Sequence, residues 1–201
     1  MNREYIEKFK RNYVTYSIVI INIIIYVACI FAGDYIRMQG SIGVIPILEW
    51  HQYYRFITCQ FVHADLSHVL MNMVILIALG DILENEMSHF LFFITYLLSG
   101  ISGIVISVVY KIFTGNLYYS LGASAAISGL IGALLVIVLA YNGRYKSIST
   151  TRIGFCIFYM IYSGTISAEV DNMGHIGGFI GGVIIMSVLC VTGIYRKRKY
   201  N

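Results

Sequence analysis

Apolar, uncharged positions run without a break for membrane-length stretches four times along the chain, at about 14–33, 90–110, 121–140 and 172–194. A bilayer core needs about 17–25 such residues in helical form, so each stretch predicts a transmembrane helix. Two shorter stretches complete the pattern. Residues 66–80 are apolar but carry His68 and Asn72, and residues 153–168 are rich in Ser, Thr and Tyr. Counting both predicts six spans at 14–33, 66–80, 90–110, 121–140, 153–168 and 172–194, an all-α membrane bundle forming a single domain over residues 1–201. The one long connection, residues 34–65, holds Pro46, Trp50, Tyr53 and Tyr54 and reads as a surface loop anchored in the headgroup region. Residues 147–151 read as a cytoplasmic loop.

Composition agrees with the pattern. The chain is 58% hydrophobic and 12% charged, whereas a soluble domain carries about 25% charged residues. Six spans place both termini on one side, and the basic residues test that parity. Arg3, Lys8, Lys10, Arg11, Arg144, Lys146, Arg152, Arg196, Lys197, Arg198 and Lys199 fall on one side, against Arg37, Arg55 and Lys111 on the other. The first set marks the cytoplasmic face. The net charge of +4 then reflects topology and contact with anionic lipid, not nucleic acid. The basic start ahead of the first hydrophobic run reads as a retained signal-anchor. With no organelle-targeting feature, a bacterial plasma membrane is the simplest location. Cys29, Cys59, Cys156 and Cys190 show neither pairing nor metal-ligand spacing and read as packing residues.

Polar residues inside such spans point to function, because burying them in lipid is costly. In the predicted topology spans two, four and six run the same way, and His68, Ser124 and His175 each lie near the start of their span. All three then share a layer just below the external surface, within reach of water. A serine hydroxyl becomes a nucleophile when a nearby base takes its proton, and histidine has a suitable pKa. Ser124 and His175 fit those roles. For them to meet, spans four and six must approach closely. Gly174, Gly177, Gly178, Gly181 and Gly182 on one side, and Ser124, Ser128 and Gly132 flanked by Ala125, Gly129 and Ala133 on the other, allow this. Asp171 precedes His175 by one turn but lies in a loop, so the reading is a dyad without it.

His68 and Asn72 share one helix face. With the Ser124 N–H they either stabilise the oxyanion of a tetrahedral intermediate or clamp helices together. A metal held by His63, His68 and His175 is the alternative chemistry. It is disfavoured, since no HExxH motif is present and Glu169 and Asp171 lack ligand-like spacing. No cofactor or metal is expected.

From about Arg55 to Gly182 these residues resemble the rhomboid family of intramembrane serine proteases. The family's spacing of two histidines and an asparagine stands here as His63, His68 and Asn72, with Met73, Gly80 and Glu84 in similar positions. Its Gly-x-Ser-Gly stands as Gly122-Ala123-Ser124-Ala125, its last-span histidine and glycines as His175-Ile176-Gly177-Gly178, and Tyr54-Arg55 is similar to its first-loop Trp-Arg element. The resemblance implies a six-helix core with Ser124 as nucleophile and His175 as base, and with His68, Asn72 and the Ser124 N–H at the oxyanion. It implies as substrates single-pass membrane proteins, cleaved near the outer end of a helix that unwinds easily. Span five either moves as a substrate gate or packs rigidly. Three positions depart from the pattern: Ala125 for glycine, Ser128 for an aromatic residue, and Tyr54 for tryptophan. None removes a reacting atom, so an active enzyme is favoured over a non-catalytic, client-binding escort. A small transporter is disfavoured, because transporters place their polar groups near the midplane.

Overall fold

The computed structural model describes residues 10–166 and 170–195. Arg3, Lys8, Glu169 and the basic residues 196–199 lie outside the described residues, and with them most of the terminal charge used for the orientation. The described helices are α1 (Tyr13–Ala32), α2 (Asp34–Gly40), α3 (Val44–Leu48), α4 (Arg55–Thr58), α5 (Leu66–Glu86), α6 (His89–Thr114), α7 (Ser124–Ala140), α8 (Thr150–Ile166) and α9 (Asn172–Val191). The protein is a multi-pass, all-α membrane bundle. Four helices among the described residues, α1, α5, α6 and α9, are long and apolar enough to cross a bilayer. Six spans are expected from the sequence and four helices are of this length: the stretch 121–140, expected at full membrane length, gives the 17-residue α7, and 153–168 gives the 17-residue α8. The Ser147–Thr151 stretch is not simply a loop, since Arg144–Tyr145 and Ile148–Ser149 pair as a small antiparallel hairpin, β1 and β2, and α8 begins at Thr150.

The chain forms two compact units. The first comprises Met1–Ile94 with Leu117–Ala123. Within it α5 is no short span. It continues past Gly80 to Glu86, because the polar residues that ended the apolar run have partners on α1. Glu84, 2% exposed, accepts the Val14 N–H at 2.9 Å, the Thr15 N–H at 2.8 Å and the Thr15 hydroxyl at 2.6 Å. These are orphan donors of the α1 N-terminus, satisfied by a side chain about seventy residues further on. His89 Nδ1 lies 2.7 Å from the same carboxylate. Asn12 donates to Asp81 and accepts from Asn85, both at 2.7 Å. Gly80 gives the room, since a Cβ there would come within 2.8 Å of Thr15 Cβ.

Residues 34–65 are more ordered than a surface loop. Arg55, 2% exposed, donates to the carbonyls of Met38 and Ser41 and to the side chains of Gln39 and Gln52, drawing α2 to α4 together. Trp50, Tyr53 and Tyr54 are exposed, as suits an interfacial belt, whereas Pro46 is buried. Segment 117–123 returns to this layer through an antiparallel bridge, with the Ile42 N–H to Ser120 O at 2.9 Å and the Ser120 N–H to Ile42 O at 2.8 Å.

The second unit comprises Thr95–Asn116 with Ser124–Asn201. Its centre is α9, fitted between α7 and α6. A Cβ on Gly178 would come within 2.9 Å of the Ala125 carbonyl carbon, one on Gly182 within 2.8 Å of Gly129 Cα, and one on Gly132 within 3.0 Å of the Val183 nitrogen. On the other flank, a Cβ on Gly177 would come within 3.0 Å of Gly103 Cα and one on Gly181 within 2.7 Å of Ser102 Cβ. Ser102 donates to the Gly177 carbonyl at 3.1 Å. Contact along α7 follows the Ala125, Gly129, Gly132 row, not the row of Ser124 and Ser128. Ser128 turns its hydroxyl back to the Ser124 carbonyl, 2.8 Å away, the one-turn bond common for serine in helices. The outer face of α8 exposes Phe155, Phe158 and Tyr159. Cys156 is exposed there too, which corrects its reading as a packing residue. Cys29 and Cys59 are buried.

Candidate active site

Ser124 and His175 both belong to the second unit. Ser124 is the first residue of α7 and His175 the fourth of α9. The contacts Ala125 to Gly178 and Gly129 to Gly182 advance together along the two helices, so α7 and α9 run in the same direction with their N-termini adjacent. Ser124 precedes the first contact on one helix by one residue, and His175 precedes it on the other by three.

Asp171 fixes the start of α9. It is the N-cap, with Oδ1 accepting the Gly174 N–H at 2.9 Å, while its carbonyl accepts the His175 N–H at 3.0 Å. Its other carboxylate oxygen accepts from Ser107, and Lys111 Nζ lies 3.3 Å away. Lys111 is 6% exposed, so a cation near the end of α6 is held by the residue that caps the histidine's helix. Sequence reasoning assigned Lys111 only to the external side and Asp171 only to a loop. Asp171 directly ahead of an apolar run is an N-cap signal. Nothing in the sequence paired residues 107 and 111 with residue 171.

His63, His68 and Asn72 belong to the first unit, together with the turn that leads to Ser124. Asp65 caps α5 by accepting the His68 N–H at 2.9 Å. Bonds from Ser67 and the His68 amide hold its carboxyl below the usual carboxylate range. His68 and Asn72 face Gly122: a Cβ there would come within 2.8 Å of His68 Nε2 and 3.7 Å of Asn72 Nδ2. Gly122 also has φ +115°, a conformation that side chains strain against. Position 122 is therefore glycine for two independent reasons. Asn72 Nδ2 is buried with no hydrogen-bond partner among the described residues. Buried donors are nearly always paired.

The rings of His63 and His68 meet edge to face, 5.0 Å between centroids. Burial, then the neighbouring His68, lowers the His63 pKa to about 3. No group of three His, Cys, Asp or Glu side chains among the described residues could hold a metal ion.

The Rhomboid domain model matches residues 50–192. The chain is similar to RHOMBOID-like protein 1 of Arabidopsis thaliana, with 31% identity over 171 residues, covering 82% of this chain and 42% of that protein. It is similar to Rhomboid protease GluP of Bacillus subtilis (strain 168), with 32% identity over 152 residues, 75% of this chain and 28% of the other. Inactive RHOMBOID-like protein 8 of Arabidopsis thaliana is 32% identical over 143 residues, 71% of this chain and 40% of the other. The chain thus spans less than half the length of each of these three relatives.

Proposed function

The chain belongs to the rhomboid family, and we propose that it acts as an intramembrane serine endopeptidase through a Ser124–His175 dyad. The observation that carries this reading is the side-chain-free contact between α7 and α9, which sets the N-termini bearing the two residues against each other. In the proposed reaction His175 takes the proton of the Ser124 hydroxyl as the oxygen attacks a substrate carbonyl. The proton then passes to the leaving amine, and water attacks the acyl-enzyme by the reverse transfer. The Ser124 N–H, His68 and Asn72 stabilise the oxyanion, a role for which the orphan Asn72 amide nitrogen is suited. Asp171 has its carboxylate engaged by Gly174, Ser107 and Lys111, which favours a dyad over a triad.

The substrates proposed are single-pass membrane proteins cut near the outer end of a helix. The proposed setting is a bacterial plasma membrane with both termini cytoplasmic, α7 and α8 completing six spans. At about 1.5 Å per residue, 17 residues reach roughly 25 Å, short of a core of about 30 Å but within what bilayer thinning accommodates.

The second reading, a client-binding escort without catalysis, is favoured by the similarity to a relative named inactive. Fluorophosphonate labelling in native-like bilayers separates the two. The dyad predicts labelling of the wild type that is lost in Ser124→Ala and His175→Ala, both still folded. A folded wild type that takes no label supports the escort.

A further inference from the structure

His63 is the member of the His63, His68, Asn72 set that the proposed reaction leaves without a task. It is 1% exposed. Its Nε2 accepts the N–H of Ala123 at 3.4 Å, the residue before Ser124. The same turn is fastened twice more, by the Gly122 N–H to Cys59 O at 2.8 Å and the Ser120 N–H to Ile42 O at 2.8 Å. Backbone carbonyls accept the Ser120 and Gly122 amides, and a side chain accepts that of Ala123.

We propose that His63 is a positioning residue, whose neutral imidazole holds the Ala123 amide and so fixes the turn that presents Ser124. The proposal rests on the reading of Ser124 as nucleophile. Accepting at Nε2 requires a free lone pair there, with the ring proton on Nδ1. The surroundings enforce the neutral form: burial and the adjacent His68 oppose the cation more strongly than the Phe61 backbone and Asp65 favour it.

The test compares His63→Leu, which fills the space without an acceptor, with His63→Gln, whose amide oxygen reaches the Nε2 position. Leu leaves the buried Ala123 N–H unpaired, so it should melt below wild type and, while still folded, label Ser124 about five- to tenfold more slowly with a fluorophosphonate, the scale of one lost hydrogen bond. Gln should label within about threefold of wild type, its acceptor restoring most of that bond. Wild-type labelling by a folded Leu variant, or Gln as slow as Leu, would overturn the assignment. Ring nitrogen NMR of the unaltered protein needs no variant. A neutral ring protonated at Nδ1 at pH 7 is expected; a proton on Nε2, or an imidazolium, overturns the proposal. If the wild type takes no label, the nucleophile reading fails and the ring tautomer alone decides the role of His63.

Discussion

Two helix pairs bring backbones to close range by opposite means. In the second unit α7 and α9 touch by removing side chains: glycines 132, 178 and 182 leave nothing between carbonyl and Cα. In the first unit α1 and α5 are joined by adding polar side chains, with Glu84, Asp81 and Asn85 reaching the amides and Asn12 at the start of α1. A glycine seam fixes separation by steric exclusion and gives no way to accommodate an extra atom. A polar lock fixes direction through discrete bonds, each of which can be lost separately. The residues proposed to react sit beside the seam, where separation matters most.

The largest expected effect breaks the seam. Gly182→Ala would drive a methyl into the Gly129 backbone, and because backbone cannot step aside the cost should be about 3 kcal/mol or more. Thermal unfolding and probe labelling should both collapse; a variant that melts and labels like wild type would mean that the helices do not touch there. Glu84→Ala comes next, at about 3 kcal/mol, with Glu84→Gln near half of that because one acceptor oxygen remains. The seam should respond to added volume and the lock to the number of bonds. Glu84 variants that stay folded should therefore keep their labelling rate, which measurement below the melting point checks. At Asp171, Ala removes both the cap and the partner of Lys111, for about 2 kcal/mol, while Asn keeps the cap and loses about 1 kcal/mol. Equal melting points for the two would assign the whole effect to charge.

Polar fastening also carries a pH signature. With its pKa lowered to about 3 from an ordinary 6.5, His63 binds fewer protons in the folded chain than in the unfolded one. Its contribution is fully present above about pH 6.5 and declines as the pH falls toward 3, by about 1 kcal/mol at pH 5.5. A melting-temperature series over that range should flatten in His63→Leu. Asp65, also held below its ordinary value, acts only below the carboxylate range of about pH 4. The smallest effect belongs to Ala125→Gly. The Ala125 methyl lies 3.0 Å from where a Gly103 side chain would begin, so this departure from the family pattern is absorbed by a glycine opposite. Restoring glycine should cost under about 1 kcal/mol, mainly in helix propensity, and leave labelling within about twofold, since no reacting group moves.

The seam was legible because it is written in periodicity. Glycines at three- and four-residue spacing announce a face, and the placement of Ser124 and His175 at helix starts follows from the boundaries of the apolar runs. Which α7 row makes the contact was not legible: Ser124, Ser128 and Gly132 and the row of Ala125 and Gly129 have the same period and differ by one residue of rotation. The lock was hidden altogether. Glu84 and Asp81 look like charges that end a span until the α1 amides are seen to need them, and that partnership joins residues about seventy positions apart. The same distance concealed Lys111 from Asp171, and left His63 recognisable as part of a pattern but without a role.

The lock also has a schedule. Synthesis runs from the N-terminus, so the Val14 and Thr15 amides leave the ribosome about seventy residues before the carboxylate that satisfies them. At roughly 5–20 residues per second, that is an interval of several seconds. During it α1 is a helix whose first turn has no Glu84 to bond with. Those bonds of the finished protein can form only once α5 has been made, so this fastening belongs to a late step in the joining of α1 and α5.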